Sequence, residues 1–113
     1  MKRYIRTSVS NISSESYTDR LLIASDPSTP DAILRQMFSN YEEESPYVLA
    51  EIACNPNTPI DILEQLAIDE DENIRVGVAQ NINAPKHLLH MLSSDPDWLT
   101  REEAKRALER FNA

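Results

Sequence analysis

The strongest constraint in this chain is an internal repeat. Three segments align column by column: Ile23-Ala24-Ser25-Asp26-Pro27-Ser28-Thr29-Pro30, Ile52-Ala53-Cys54-Asn55-Pro56-Asn57-Thr58-Pro59 and Val78-Ala79-Gln80-Asn81-Ile82-Asn83-Ala84-Pro85. The registration continues downstream, where Ile33-Leu34, Ile62-Leu63 and Leu88-Leu89 share columns and are followed by Met37, Leu66 and Leu92. Repeats of this length are single supersecondary units, each too small to bury its own apolar face. They become stable by stacking on their neighbours.

Each column has a physical reading. Pro30, Pro59 and Pro85 sit where a helix begins, since a fixed φ and a missing N–H are both harmless there. Thr29 and Thr58 precede them as expected N-cap acceptors, and Asp61 lies in the first turn, where an anion suits the helix dipole. Ala84 breaks the cap column, so the third such helix is expected to start less firmly. Asp26, Asn55 and Asn81 are corner residues suited to bonding nearby backbone. The i, i+1, i+4 sets Ile33/Leu34/Met37, Ile62/Leu63/Leu66 and Leu88/Leu89/Leu92 make one apolar stripe per helix.

A first helix precedes each corner. Ser45 caps Pro46, and Val48, Leu49, Ile52 and Ala53 form the apolar face, which Ile74, Val78 and Ala79 repeat. Asp19, Leu22, Ile23 and Ala24 give a more polar version at the front, as a terminal unit facing solvent requires. At the back, Thr100 and Glu103 have capping-box spacing and predict a final helix from Arg101 to about Arg110, with Ala104, Ala107, Leu108 and Phe111 as its stripe. The expected fold is all-α: a short α-solenoid of about three two-helix repeats (residues 18–43, 46–70 and 72–94) with polar capping helices and no β-sheet. Residues 15–113 form one domain, the C-terminal cap spanning 98–112. Residues 1–14 lack a sustained period and are expected to be a flexible or extended arm.

Composition narrows the function. Gly77 is the single glycine against seven prolines, which fits helices joined by compact corners better than a sheet with many tight turns. The net charge of −8 argues against nucleic acid as a direct partner of the body. One cysteine, Cys54, excludes an internal disulfide and a multi-cysteine metal site, and a reducing, cytoplasmic setting is the default. No apolar run is long enough for a bilayer, and no signal-peptide core follows the basic start Met1-Lys2-Arg3-Tyr4-Ile5-Arg6.

At the repeat columns the sequence resembles the leucine-rich repeat variant family, a helical-repeat relative of HEAT and armadillo solenoids. The residues that carry the resemblance are Ala53-Cys54-Asn55-Pro56-Asn57-Thr58-Pro59 with Leu63 and Leu66, and Asp71-Glu72-Asn73-Ile74-Arg75-Val76-Gly77-Val78-Ala79-Gln80-Asn81. It covers about residues 18–98, and Ile82 and Ala84 depart from it in the third unit. The resemblance implies alternating α and short 3-10 helices in a right-handed superhelix. A cysteine cluster holding iron and sulfur, found in some members, is not carried over to a chain with Cys54 alone. The family supplies no catalytic residues.

The most informative chemical feature is a charge gap. No Lys or Arg lies between Arg35 and Arg75, while Glu42, Glu43, Glu44, Glu51, Asp61, Glu64, Asp69, Glu70, Asp71 and Glu72 all do. Such a stretch is either a surface for a basic protein, a mimic of the nucleic-acid backbone, or a set of solvated loops. Asp69-Glu70-Asp71-Glu72-Asn73 opens like a calcium loop but has Ile74 and Gln80 where glycine and a bidentate glutamate are needed. His87 and His90 share a helical face, yet no further metal ligand is near in sequence. Cys54 has no neighbouring cation and suits a small buried position. Trp98 suits packing at the joint to the last helix; exposed, it would mark a binding hot spot. Lys2, Arg3 and Arg6 are too few for nucleic-acid binding alone and could equally contact the chain's own acidic middle.

These readings predict no enzyme, no cofactor and no metal. They favour a protein–protein interaction module with a partly acidic surface for another protein, a basic one being the best complement. The candidate binding residues are Glu42, Glu43, Glu44, Glu51, Glu64, Asp69, Glu70, Asp71, Glu72 and Trp98. A nucleic-acid mimic inhibiting a DNA-binding protein and a structural subunit of a larger assembly are the alternatives. No membrane contact is expected.

Overall fold

The computed structural model describes residues 15–112, and the expected arm at 1–14 lies outside them. Those residues form seven α-helices and one 3-10 turn, without a strand: α1 (Tyr17–Ser25), α2 (Asp31–Phe38), η1 (Tyr41–Glu43), α3 (Pro46–Cys54), α4 (Ile60–Leu66), α5 (Glu72–Gln80), α6 (Lys86–Leu92) and α7 (Trp98–Asn112). The odd-numbered helices pack side by side in chain order, α1 on α3, α3 on α5 and α5 on α7. The shorter even-numbered helices lie against them, and α6 also packs on α7. The longest dimension, 41 Å, suits four helices side by side at roughly 8–10 Å spacing.

Different chemistry starts the two helix sets. Ser16, Ser45 and Asp71 cap α1, α3 and α5 by accepting from the amides of Asp19, Tyr47 and Asn73. These side chains satisfy donors that a helix N-terminus leaves unpaired. Before α2, α4 and α6, however, Pro30, Pro59 and Pro85 are themselves the cap residues, so the caps fall one residue later in the chain than expected and make no side-chain bond. Thr29 and Thr58 are therefore not N-cap acceptors. Their buried hydroxyls donate backwards, to the carbonyls of Ile23 (2.6 Å) and Ile52 (2.5 Å). Replacing that threonine by Ala84 consequently leaves the start of α6 in register, and the difference falls on the corner bond.

Three further expectations are corrected. Helix α7 begins at Trp98, and its cap is Asp97, which accepts from both the amide and the hydroxyl of Thr100. Thr100 lies inside the helix, so Thr100 and Glu103 do not form a capping box. Phe111 and Leu22 are about half exposed, not core; Phe111 sits near the end of its helix with the Lys86 ammonium over its ring. The implied alternation of α with 3-10 helices is also absent, because α2, α4 and α6 are α-helical. Their ends alone tighten: each proline carbonyl accepts from residues three and four positions on, and bonds of i to i−3 type close the C-termini, as from the amides of Asn40, Ile68 and Ser94 to the carbonyls of Met37, Gln65 and Met91.

The apolar stripes otherwise meet as the repeat demands. Ile33, Leu34, Met37, Val48, Leu49, Ile52, Ala53, Ile62, Leu63, Leu66, Ile74, Val78, Ala79, Leu88 and Leu92 belong to one buried cluster. Leu89 and Ala107 join Ala84 in a small second one. Burying each large aliphatic side chain contributes about 1.5–3 kcal/mol. Helices α3 and α5 approach closely at Gly77, where an added Cβ would lie 2.9 Å from both the Ala50 carbonyl oxygen and the Ala53 Cβ.

The corners are bound by a polar ladder. The buried Asn55 amide donates to the carbonyls of Ala24 and Asp26 (2.8 and 2.9 Å). Asn81 repeats this one unit on, donating to Ala53 and Asn55 (2.7 and 2.8 Å). Each also accepts from the amide two residues ahead, closing its own turn. A second rail runs outside it, from Asn57 to Pro27 and Thr29 and from Asn83 to Pro56. Carbonyls left unpaired at a helix C-terminus are thus satisfied by the next unit.

Candidate functional site

Because the helices alternate in direction, the chain reverses at two opposite edges. One carries the asparagine ladder and is nearly free of charge. The other gathers the loops around residues 39–45, 67–71 and 93–97, which hold Glu42, Glu43, Glu44, Asp69, Glu70, Asp71, Asp95 and Asp97. Seven of the ten expected binding residues share this edge: Glu42, Glu43, Glu44, Asp69, Glu70, Asp71 and Glu72.

Their environments differ. Glu44 and Asp95 are buried and structural: Glu44 receives the Arg20 guanidinium at 3.0 Å and Asp95 that of Arg75 at 2.8 Å. Asp71 and Asp97 cap helices. The carboxyl of Asp97 is held below the usual carboxylate range, chiefly by the Thr100 amide. Asp69 accepts from the Asp71 amide at 2.8 Å and from the Tyr41 hydroxyl. That hydroxyl is pushed up to about 12 by its bond to Asp69 and by partial burial. Glu42, Glu43, Glu70 and Glu72 point into solvent.

Between these carboxylates some apolar side chains are exposed, Ile68 most of all. A depression of ≈490 Å³ lies between Phe38, Tyr41 and Glu42 on one side and Gln65, Ile68, Asp69 and Glu70 on the other. Ile68 is 72% exposed and rims this depression and a further one of ≈430 Å³ that reaches Met91 and Pro96. The tilted pair of Phe38 and Tyr41 rings, 5.6 Å between centroids, stiffens the first wall. Carboxylates set beside exposed apolar side chains have the chemistry to accept a cation flanked by apolar groups.

The other expected residues lie elsewhere or behave differently. Glu51 is on α3, away from the loops. Glu64 faces outward on α4, its Oε2 lying 3.3 Å from His87 Nε2. Asp61 pairs with Arg35 across the same outer face at 2.9 Å, and its carboxyl is lowered mainly by that bond. Trp98, the first residue of α7, is 63% exposed rather than packed at the joint. Cys54 is partly buried, its Sγ 3.7 Å from the Gln80 side chain, and burial, then Glu51, pushes its thiol up to about 11. Among the described residues no three His, Cys, Asp or Glu side chains are grouped as a metal would need.

Sequence reasoning missed Tyr41, Ile68 and Phe38. Ile68 had a signal, since it is an apolar residue in a column otherwise held by Ser39 and Ser94. Among the described residues no helix is long and apolar enough to cross a membrane. Compared with known protein families, curated proteins and solved structures, the chain matches none.

Proposed function

We propose that this chain is a non-enzymatic protein-interaction module of the cytoplasm: a short right-handed α-solenoid, of the leucine-rich repeat variant kind, whose acidic loop edge holds a basic segment of another protein. The observation that carries this reading is the juxtaposition of solvent-facing Glu42 and Glu70, with exposed Glu43 next in the chain, and exposed Tyr41 and Ile68 around open depressions. Charge complementarity steers and orients a partner, while the desolvated apolar contacts hold it. A nucleic-acid mimic needs one continuous stripe of carboxylates. Here the engagement of Glu44, Asp71, Asp95 and Asp97 in pairs and caps favours the basic protein segment instead.

The test is a pull-down at low and at moderate salt using the native chain and the triple variant Glu42→Gln, Glu43→Gln, Glu70→Gln. These three carboxylates make no internal side-chain bond among the described residues, so the variant should melt like the native chain. The reading predicts basic partners that are lost on raising salt and lost in the variant. Partners that resist salt and bind the variant equally would refute it. They would point to an assembly subunit using apolar residues exposed toward the ends, Leu22, Trp98, Leu99 and Phe111.

A further inference from the structure

The fourth residue of the odd-numbered helices forms its own column: Arg20, Leu49, Arg75 and Arg101. Each arginine folds its guanidinium back over the start of its helix. Arg20 donates to the carbonyl of Glu15 (2.7 Å), Arg75 to those of Asp69 and Glu70 (2.8 and 3.0 Å), and Arg101 to those of Asp95 and Pro96 (2.9 and 3.1 Å). Two of them also fork onto a carboxylate of the following loop. Arg20 Nε and Nη2 reach Glu44, and Arg75 Nε and Nη2 reach Asp95. This fold therefore recognises a guanidinium with the same elements at successive loops.

The α3 rung is missing. An arginine at position 49 would turn toward the loop carrying Asp69, but leucine stands there. In its absence Tyr41 donates to Asp69. A depression of ≈350 Å³ opens over Leu49, lined by Tyr41, Glu42, Asp69, Glu70 and Ile74 among others. No salt bridge among the described residues involves Glu42, Asp69, Glu70 or Asp71. The depression beside Phe38 and Ile68 adjoins it across the Tyr41–Asp69 contact.

We propose that this depression is a socket for an arginine side chain of the partner polypeptide, whose guanidinium takes the vacant rung at Asp69 and Glu42. Its methylene stem lies over Leu49 and the Tyr41 ring, and the partner's adjacent apolar residue fills the cleft between Phe38 and Ile68. A planar fork can address a carboxylate through two parallel bonds, which a lysine ammonium cannot. The inference rests on the basic-partner reading above and adds to it a position and a preference for arginine over lysine.

The test uses the full chain and three capped peptides of one sequence, in which a central arginine flanked by leucines is replaced by lysine or by citrulline. Binding at low ionic strength is followed by the chain's amide NMR shifts. The socket predicts shifts at Tyr41, Leu49, Asp69 and Glu70, and affinity about tenfold higher for the arginine peptide than for the lysine one, with citrulline weaker still. Tyr41→Phe removes the competing donor and should raise affinity a few-fold, whereas Asp69→Asn should lower it about tenfold. Leu49→Arg should fill the rung from within and abolish binding. Should that variant fail to fold, the opposed effects of Tyr41→Phe and Asp69→Asn still decide. Equal binding of arginine and lysine peptides, lost with salt, overturns the socket and leaves the basic-partner surface standing. No binding of any peptide, or no gain from Tyr41→Phe, overturns the socket too, and the pull-down alone then decides the broader reading.

Discussion

Asn81→Ala tests the structure where it is most exacting. The Asn81 side chain is fully buried and makes three bonds at once, to the carbonyls of Ala53 and Asn55 and from the amide of Asn83. The Ala53 carbonyl belongs to the last turn of α3 and has no other hydrogen-bond partner among the described residues, so truncation leaves it buried and unsatisfied. At about 0.5–1.5 kcal/mol net per bond, the loss is roughly 1.5–4.5 kcal/mol. That is a large fraction of the ~5–15 kcal/mol that holds a domain together. At about 4 °C per kcal/mol for a domain near this size, it lowers Tm by roughly 6–18 °C.

Far-UV circular dichroism during heating or urea titration is the appropriate assay, because exposed Trp98 reports unfolding poorly. Asn83→Ala is the internal control: its exposed side chain makes one bond, to Pro56, and its loss should cost about 0.5–1 kcal/mol. Asn81→Asp sharpens the test, since it sets a carboxylate against two carbonyl oxygens. Folding then favours the protonated form and raises that group's pKa above its unfolded value. The deficit should be small below the ordinary aspartate range near ~4 and grow as pH rises through it. Asn81→Ala and Asn83→Ala melting within about 0.5 kcal/mol of each other would refute the ladder as a source of stability.

Other perturbations separate the remaining contributions. Leu63→Ala empties a site with no exposure and should cost about 2–5 kcal/mol in urea melts. Gly77→Ala forces a Cβ against a backbone oxygen and a neighbouring Cβ. Despite about 1 kcal/mol of helix propensity gained, it should lose about 1–3 kcal/mol by calorimetry through overpacking. Arg75→Ala strands the Asp95 carboxylate, only 6% exposed, and should cost about 3–5 kcal/mol. Cys54, raised to about 11, should react with a disulfide reagent near neutral pH far more slowly than free cysteine, accelerating as pH climbs; equal rates would contradict its burial.

The helices and their stripes were legible because a buried face imposes a period of its own, and Ile33/Leu34/Met37 states it as plainly as Ile62/Leu63/Leu66. Details that depend on a partner far along the chain were not. Thr29 and Thr58 have the composition of N-caps, and only the path of the preceding helix shows that the Ile23 and Ile52 carbonyls are nearer. Asp97 and Thr100 are both competent caps, and the choice between them rests on where α7 can meet α5. The acidic stretch was visible as a charge gap, but its division was not. Glu44 and Glu42 look alike in sequence, yet one is buried on Arg20, 24 positions away, and the other faces solvent. Tyr41 and Ile68 gain meaning only once the loops around 40 and 68 are neighbours.

The placement of the asparagine ladder and the proposed binding loops at opposite edges has a mechanical consequence. A helix of nine residues, such as α3, is about 13 Å long, so the asparagine ladder and the acidic loops sit roughly that far apart across the same helices. Few side chains belong to both. Changes at Glu42, Glu43 or Glu70 should therefore alter binding and leave Tm in place, while Asn81→Ala should lower Tm and leave the affinity of the folded fraction unchanged, since mutations this far apart with no shared partner usually act independently. Tyr41 and Asp69 are the informative exception. Their mutual bond ties two loops together and occupies the acceptor that a guanidinium would use, so Tyr41→Phe should loosen the edge slightly while improving its hold on arginine. A Tyr41→Phe variant that weakens both at once would overturn the socket, because the contact would then order the two loops without competing for a guanidinium's acceptor.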